Sequence, residues 1–350
     1  MKKKYTIKDV AQRSGVGVST VSRVLNNYST KIKVSERTRQ KIFDVVKELD
    51  YMPNIHAKRL SQNKSMVIGL EVPSSAPGYV HAFADTPLIE TMRGIEEAIS
   101  KTPYRLLLSF KNKQYIDSRE YLQLFRESGI DGLIVWGCQC ADNYDKALFD
   151  YPVVFANTYP DTPKEINFIG HDNFNASRKQ TQDLIDQGCK KFIYLSGPLI
   201  NSISIELRNG FLQALQEAGI AFDETRDFEG DFCYLSGFEL MNQIITEGTL
   251  DFDAVVTANT KMAAGVFDAA QHHHRQCPAD FALVGGRGSA VENNSQIPFF
   301  EANCLTMGRL AIEKLQQLID KEVPEKFKIL IDTSNIEVKN AKHMSSDPVL

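Results

Sequence analysis

Thr6-Ile7-Lys8-Asp9-Val10-Ala11, then Gly15-Val16-Gly17, then Val18-Ser19-Thr20-Val21-Ser22-Arg23-Val24-Leu25-Asn26 is the stretch that decides how this chain is built. Thr6 with Asp9 three residues on has the form of a helix-capping pair. Ile7, Val10 and Ala11 repeat at the i, i+3, i+4 spacing of a helix buried along one side. Gly15 supplies a left-handed residue to end that helix. Gly17 opens a second helix, whose inward stripe is Val21, Val24 and Leu25. Its other face carries Val18, Ser19, Ser22, Arg23 and Asn26, small and hydrogen-bonding side chains suited to a DNA major groove. Ser35 is placed to cap a third helix with Ile42, Val45, Val46 and Leu49 inward.

Charge agrees with this geometry. Residues 1–65 hold fifteen Lys and Arg against five acids, a net of +10 that leaves −14 for the remainder of a chain whose formal charge is −4. A basic head on an acidic body is the footprint of a protein that sets one end on nucleic acid.

These residues resemble the LacI/GalR family of bacterial transcription regulators, over Thr6–Val10, Thr20–Asn26, Val34–Arg37, Tyr51–Asn54 and Ala57–Leu60. The resemblance implies that Val18, Ser19 and Arg23 meet base edges and that Thr6, Thr20, Ser22 and Asn26 hold phosphates. Arg23 is the strongest candidate for direct readout, since arginine pairs bidentately with guanine. On the residues alone, Ser22 and Asn26 also read as local caps. Residues 54–61 correspond to the family's hinge, which becomes helical when two subunits meet on DNA, with Asn54 and Ala57 in the segment and Leu60 as a minor-groove wedge. Without the resemblance the same segment reads as a basic linker. The loop 27–33 is longer than the family usually has; its Lys31 and Lys33 suit phosphates, and Tyr28 either reaches a base or packs.

Beyond the head, apolar runs at Met66–Val72, Arg105–Phe110, Gly132–Trp136, Val153–Ala156, Phe192–Ser196, Ala254–Ala258 and Ala282–Gly285 alternate with amphipathic stretches. The helical stretches are Leu88–Lys101, Ser118–Ser128, Ser177–Gln187, Ile205–Ala218, Leu235–Glu247 and Lys261–His272. This βαβα order predicts an α/β body of parallel, doubly wound sheets in two lobes. The family resemblance continues at Met92–Glu96, Ile130–Ile134, Gly188, Gly210-Phe211, Glu229–Phe232 and Gly308–Ala311, and implies a periplasmic-binding-protein-like effector domain. The expected organisation is a small all-α helix-turn-helix head at 1–52, a hinge and linker at 53–65, and a body at 66–340. Within the body, an N-lobe is expected at about 66–164 and 298–325 and a C-lobe at about 165–297 and 326–340, with 341–350 a tail.

By the same resemblance an effector occupies the cleft between lobes, at the carboxyl ends of the strands. Phe232 falls where the family stacks an aromatic on a sugar ring, and Asn259 falls on a polar contact, with Thr260 in place of the usual aspartate beside it. Elsewhere the pocket departs from its relatives. Leu207 stands where an arginine is common, Arg287 replaces an aspartate in Gly285-Gly286-Arg287-Gly288, and Asn157 replaces another. Such an exchange of charges changes which ligand charges are tolerable to bury. Two readings stay open here. The ligand is a sugar or derivative held differently, an acidic group facing Arg287 being one form of it, or the pocket is vestigial and DNA is bound constitutively.

No run of 18 apolar residues occurs, and Met1–Tyr5 lacks the apolar segment of an export signal, so a cytoplasmic protein is expected. The six cysteines are scattered without CxxC pairs and read as reduced thiols. His272-His273-His274 with Cys277 reads as a helix end complementing its dipole rather than as a metal site. P-loop, GxSxG and HExxH patterns are missing. The expectation is therefore a DNA-binding regulator, a repressor in type, without cofactor or metal and not an enzyme. The class kept beside it is a cytoplasmic ligand-binding protein. Two heads imply an inverted-repeat operator and a two-fold homodimer, joined chiefly around Leu88–Lys101. The tail Lys339–Leu350 has no leucine heptads for a tetramer.

Overall fold

The computed structural model describes residues 5–25, 34–52, 64–74, 83, 85–162, 165–248, 251–288, 297–322 and 326–333. Asn26, the loop 27–33, the hinge residues Asn54, Ala57 and Leu60, and the tail 341–350 lie outside the described residues. The chain divides into two compact units, Met1–Met66 and Val67–Leu350.

Among the described residues of the first unit there are three helices: α1 (Ile7–Ser14), α2 (Val18–Leu25) and α3 (Glu36–Glu48). The Asp9 carboxylate accepts from both the backbone N–H and the hydroxyl of Thr6, each at 2.7 Å, which satisfies the start of α1. Gly15 ends α1 at φ 66°, and the Gly17 carbonyl accepts from Thr20 and Val21 to start α2. Ser35 caps α3 through the Thr38 N–H. Val10, Ala11, Val21, Val24, Ile42, Val45 and Leu49 are buried together, and Arg13 of α1 pairs with Glu48 of α3. The inward stripes of all three helices are the ones the periodicity predicts.

In the second unit, β1 (Val67–Pro73), α4 (Thr86–Ile99), β2 (Arg105–Lys111), α5 (Lys113–Ser118), α6 (Glu120–Arg126), β3 (Gly132–Trp136), β4 (Val153–Ala156) and β5 (Phe168–His171) come first. There follow α7 (Asn173–Asp186), β6 (Phe192–Ser196), α8 (Ser202–Glu217), β7 (Asp227–Glu229), α9 (Tyr234–Glu247), β8 (Ala254–Thr257), α10 (Thr260–His272) and β9 (Ala282–Val284). The last elements are β10 (Arg287–Gly288), β11 (Phe300–Glu301), α11 (Cys304–Ile319) and β12 (Lys328–Ile331). One parallel sheet runs β12-β5-β4-β3-β1-β2 and another β7-β6-β8-β9, with β10 and β11 pairing separately. Strand β3 explains the uninterrupted apolar runs: Ile134 and Trp136 face the core under α4 and α11, while Leu133 and Val135 face the core under α5 and α6. The second sheet is covered by Leu184, Leu207 and Phe211 of α7 and α8, and by Met241, Met262 and Val266 of α9 and α10.

Two expectations need correction. The amphipathic stretch Ser118–Ser128 is broken at Arg119, which takes φ 57°, so α5 and α6 are separate short helices. The lobe limits also shift. β5 pairs with β4, and β12 pairs with β5, so both strands extend the first sheet instead of entering the second lobe at 165 and 326. Short strands at a crossing carry no signal of which sheet will take them; pairing at an open edge decides it. The second lobe thus begins with α7, and the chain returns through β11 to α11.

Candidate functional site

The outward face of α2 is the first part of the site. Val21 and Val24 are buried, which turns Val18 and Ser19 outward at the start of the helix. Val18 is 41 % exposed although apolar, a placement that suits contact with a thymine methyl. Thr20, Ser22 and Arg23 are half-buried on the same helix. Thr6, expected on a phosphate, already donates its hydroxyl to Asp9 and remains exposed. One helix therefore holds Val18, Ser19, Thr20, Ser22 and Arg23, and its fixed roll follows from the apolar stripe beneath it.

The second part is a cleft between the two lobes of the body. Trp136, Asn157 and Thr158 line it from the ends of β3 and β4, Asp231 and Phe232 from the end of β7, Ala258 and Asn259 from the end of β8, and Arg287 from β10. All but Arg287, which opens β10, stand at the carboxyl ends of parallel strands, where loops leave backbone donors and helix starts exposed. Four sequence-predicted residues meet here: Asn157, Phe232, Asn259 and Arg287. Leu207 does not. It is fully buried in the second lobe's core beside Phe211 and Leu215, so its assignment to the effector site is corrected. Its place on α8 follows the inward stripe of Ile203, Leu207, Phe211 and Leu215, which keeps it under the sheet.

Each polar member of the cleft has a local reason for its position. Asn157 takes φ 74° and gives its backbone N–H to Ile169, which leaves its side chain to accept from Arg287 at 2.7 Å. Asn259 caps α10 by accepting from the Met262 N–H and donates to the Phe232 carbonyl at 2.8 Å. Its amide is thus occupied in positioning Phe232 (φ 66°), whose ring lies against Gly197 where any Cβ would collide. Asn259→Ala removes the cap and the tether together; a loss of about 1 kcal/mol or more in body stability is expected, checked by thermal melting. If stability is unchanged, Asn259 is available to ligand and holds nothing.

Arg287 also lies 3.4 Å from His171 Nδ1. Burial, reinforced by the Arg287 guanidinium, pushes the His171 ring down to about 3, so it is neutral at physiological pH. The lobes are joined around the cleft by Tyr159, whose hydroxyl donates to Glu206 at 2.8 Å and whose N–H donates to the Ser202 hydroxyl. Asn173 donates to the same Glu206 carboxylate, and the Cys140 N–H reaches the Ile200 carbonyl. Trp136, Thr158, Asn201, Asp231 and Lys261 were not singled out by sequence reasoning. For Thr158 and Asp231 the usable signal was positional, a polar residue just after a strand run, and for Trp136 it was the sole tryptophan at the end of one.

Comparison with known proteins matches both units of the chain. Residues 6–54 match the family described as bacterial regulatory proteins, lacI family. Residues 75–339 match periplasmic binding proteins and sugar binding domain of LacI family. The catabolite control protein A of Streptococcus mutans is 26 % identical over 333 residues, spanning 93 % of this chain and 95 % of the relative. The solved complex of the transcriptional regulator CelR with cellobiose is 26 % identical, covers 94 % of this chain and 97 % of its own, and superposes with a TM-score of 0.67. The lac repressor dimer bound to operator and the anti-inducer ONPF shares the fold, with a TM-score of 0.80 at 23 % identity over 96 % of this chain and 98 % of the other. With a capped helix-turn-helix head and a two-sheet body both matched, the chain belongs to the lacI family of bacterial regulatory proteins.

Proposed function

We propose that the protein is a transcriptional regulator that binds an inverted-repeat operator as a homodimer and responds to a small sugar-like molecule in the interlobe cleft. One observation carries the DNA half: α2 is rolled by its buried valines so that Val18 and Ser19 face outward, with Arg23 on the same helix. On this reading Val18, Ser19 and Arg23 read bases, and Thr6, Thr20 and Ser22 hold phosphates. Asn26, Asn54, Ala57 and Leu60 are assigned to the DNA by the family resemblance alone. The head is placed at 1–52, the hinge and linker at 53–65 and the effector domain after them. The effector contacts are Asn157, Phe232 and Arg287, with Asn259 setting Phe232 in place. CelR, solved with cellobiose, and the lac repressor, solved on its operator, are the relatives from which sugar and operator are drawn. No catalytic step is assigned, and the protein is placed in the cytoplasm with the DNA. A ligand alters DNA affinity only through its differing affinity for two lobe arrangements.

Selection of random duplex DNA by the purified chain, followed by titration at fixed salt, tests the reading. An inverted repeat is expected. Exchanging the residues at Val18 and Ser19 should change the preferred bases at symmetric positions. Arg23→Ala should cost about 1–3 kcal/mol at a guanine and relax specificity there, while Thr20→Ala should weaken all sequences about equally. Binding that is steeply salt-dependent and indifferent to sequence would remove the operator-reading function.

A further inference from the structure

Among the described residues the body's other buried cation, Lys111, has a carboxylate partner in Asp142 at 2.8 Å, and the half-buried Arg208 pairs with Asp227. Arg287 does not. It is 8 % exposed and lines the cleft, and its guanidinium meets Asn157 Oδ1 at 2.7 Å, His171 Nδ1 at 3.4 Å and Cys304 Sγ at 3.6 Å. Among the described residues no carboxylate lies within ion-pair distance of it, and its Nε has no partner. Its titratable neighbours supply no counter-charge. His171 is neutral, and burial pushes the Cys304 thiol up to about 11, so it keeps its proton. A buried cation without an anion is costly to a folded chain, and the cost is relieved by whatever anion enters.

The rest of the cleft narrows the chemistry. Trp136 lines it with a buried indole N–H that has no partner, so a second donor lacks an acceptor. Asp85, Asp231 and Lys261 line the same cleft, and Phe232 supplies an aromatic ring. Carboxylates accept hydroxyls, and an aromatic face covers the C–H surface of a sugar ring, so the occupant has hydroxyls as well as negative charge. A simple polyanion would be repelled by the two aspartates.

We propose that the cleft takes an anionic sugar derivative, its carboxylate or phosphate seated against Arg287 and its hydroxyls on the aspartates of the wall. This rests on the reading of the cleft as the effector site and specifies the charge of what enters it. The anionic oxygens come from a sugar acid or from a sugar phosphate, and the two are separated by the choice of probe.

The test uses the full-length chain and Arg287→Gln, with calorimetry and thermal melting. The probes are glucose, glucuronate and glucose 6-phosphate, the matching galactose set, and inorganic phosphate at constant ionic strength. At least about a tenfold preference for the acidic or phosphorylated member over its neutral parent is expected in the wild type, as a charge-assisted contact would give, and its loss in Arg287→Gln. Inorganic phosphate should raise the melting temperature of the wild type more than that of the variant, whichever sugar is correct. The ligand-free variant should melt at or above the wild type, because the charge it removes has no counter-ion. A neutral sugar bound more tightly than its acid, equal stabilisation of both proteins by phosphate, or a large drop in the ligand-free variant would each overturn the proposal. Release of a selected operator by a neutral sugar alone would keep the regulator and end this inference. If no operator is selected, the regulator reading ends while phosphate binding that depends on Arg287 stands separately.

Discussion

Gly308→Ala should destabilise the body by about 2–4 kcal/mol, although alanine is the better helix former by about 1 kcal/mol. A Cβ at Gly308 would sit 2.1 Å from the Thr91 carbonyl oxygen and 2.8 Å from the Ile95 nitrogen. The reciprocal position behaves alike, since a Cβ at Gly94 would sit 2.0 Å from the Leu305 carbonyl oxygen. Helices α4 and α11 therefore approach backbone to backbone, and neither contact can relax by turning a side chain. To admit a methyl group the helices must separate, which loosens Leu88, Ile95, Met307 and Ile312 over the first sheet. The second lobe repeats the device at Gly237 and Gly265, where a Cβ would meet Met262 O at 2.2 Å and Tyr234 O at 2.1 Å. Thermal melting of the Gly308 variant, with Gly265→Ala as its counterpart, checks the sign. A rise in melting temperature would mean that the helices are not in backbone contact, and propensity alone would decide the effect.

The same glycines show what the sequence made legible and what it did not. Met92–Glu96 and Gly308–Ala311 are recognisable as family segments, yet nothing in either says that Gly94 and Gly308 oppose each other across 214 residues of chain. Periodicity is local, so the inward stripes of α1, α2 and α3 and the apolar strands β3, β4 and β6 could be read from it directly. Sheet membership is not local, and this is why β5 and β12 fell on the unexpected side of the lobe boundary. The break at Arg119 also lacked a signal, since a non-glycine residue takes the left-handed conformation there. In the cleft, Arg287 was visible as an oddity of charge, while its partners Asn157 and His171 lie 130 and 116 residues away in sequence. Leu207 shows the opposite case. The family position pointed to the pocket, but the residue's own stripe with Phe211 and Leu215 pointed to the core, and the stripe prevailed.

Replacing Glu71 with glutamine should stabilise the protein above neutral pH by about 3 kcal/mol. Glu71 is fully buried in β1, with its two oxygens facing the hydroxyls of Tyr115 at 2.7 Å and Tyr144 at 3.4 Å. Lys111 and Asp142, themselves paired at 2.8 Å, act on it electrostatically in opposite directions. Burial raises the Glu71 carboxyl from 4.5 to about 7, against the opposing pull of the Tyr115 hydrogen bond, Lys111 and Tyr144. Between those two values the folded chain holds a proton that the unfolded chain has released. Stability from this group is therefore fully present below about pH 4.5 and declines as pH rises to about 7, by roughly 1.4 kcal/mol per pH unit, about 3 kcal/mol in all. Glutamine keeps an acceptor for Tyr115 and cannot ionise, so the advantage of Glu71→Gln over wild type should be near zero at the acid end and reach its plateau above pH 7. Melting both proteins across this range isolates the group, because every other titration is shared. A variant less stable than wild type above neutral pH, by a deficit that shrinks as pH falls and Glu71 protonates, would show instead that the ionised carboxylate is what Lys111 and the two tyrosines are arranged to hold.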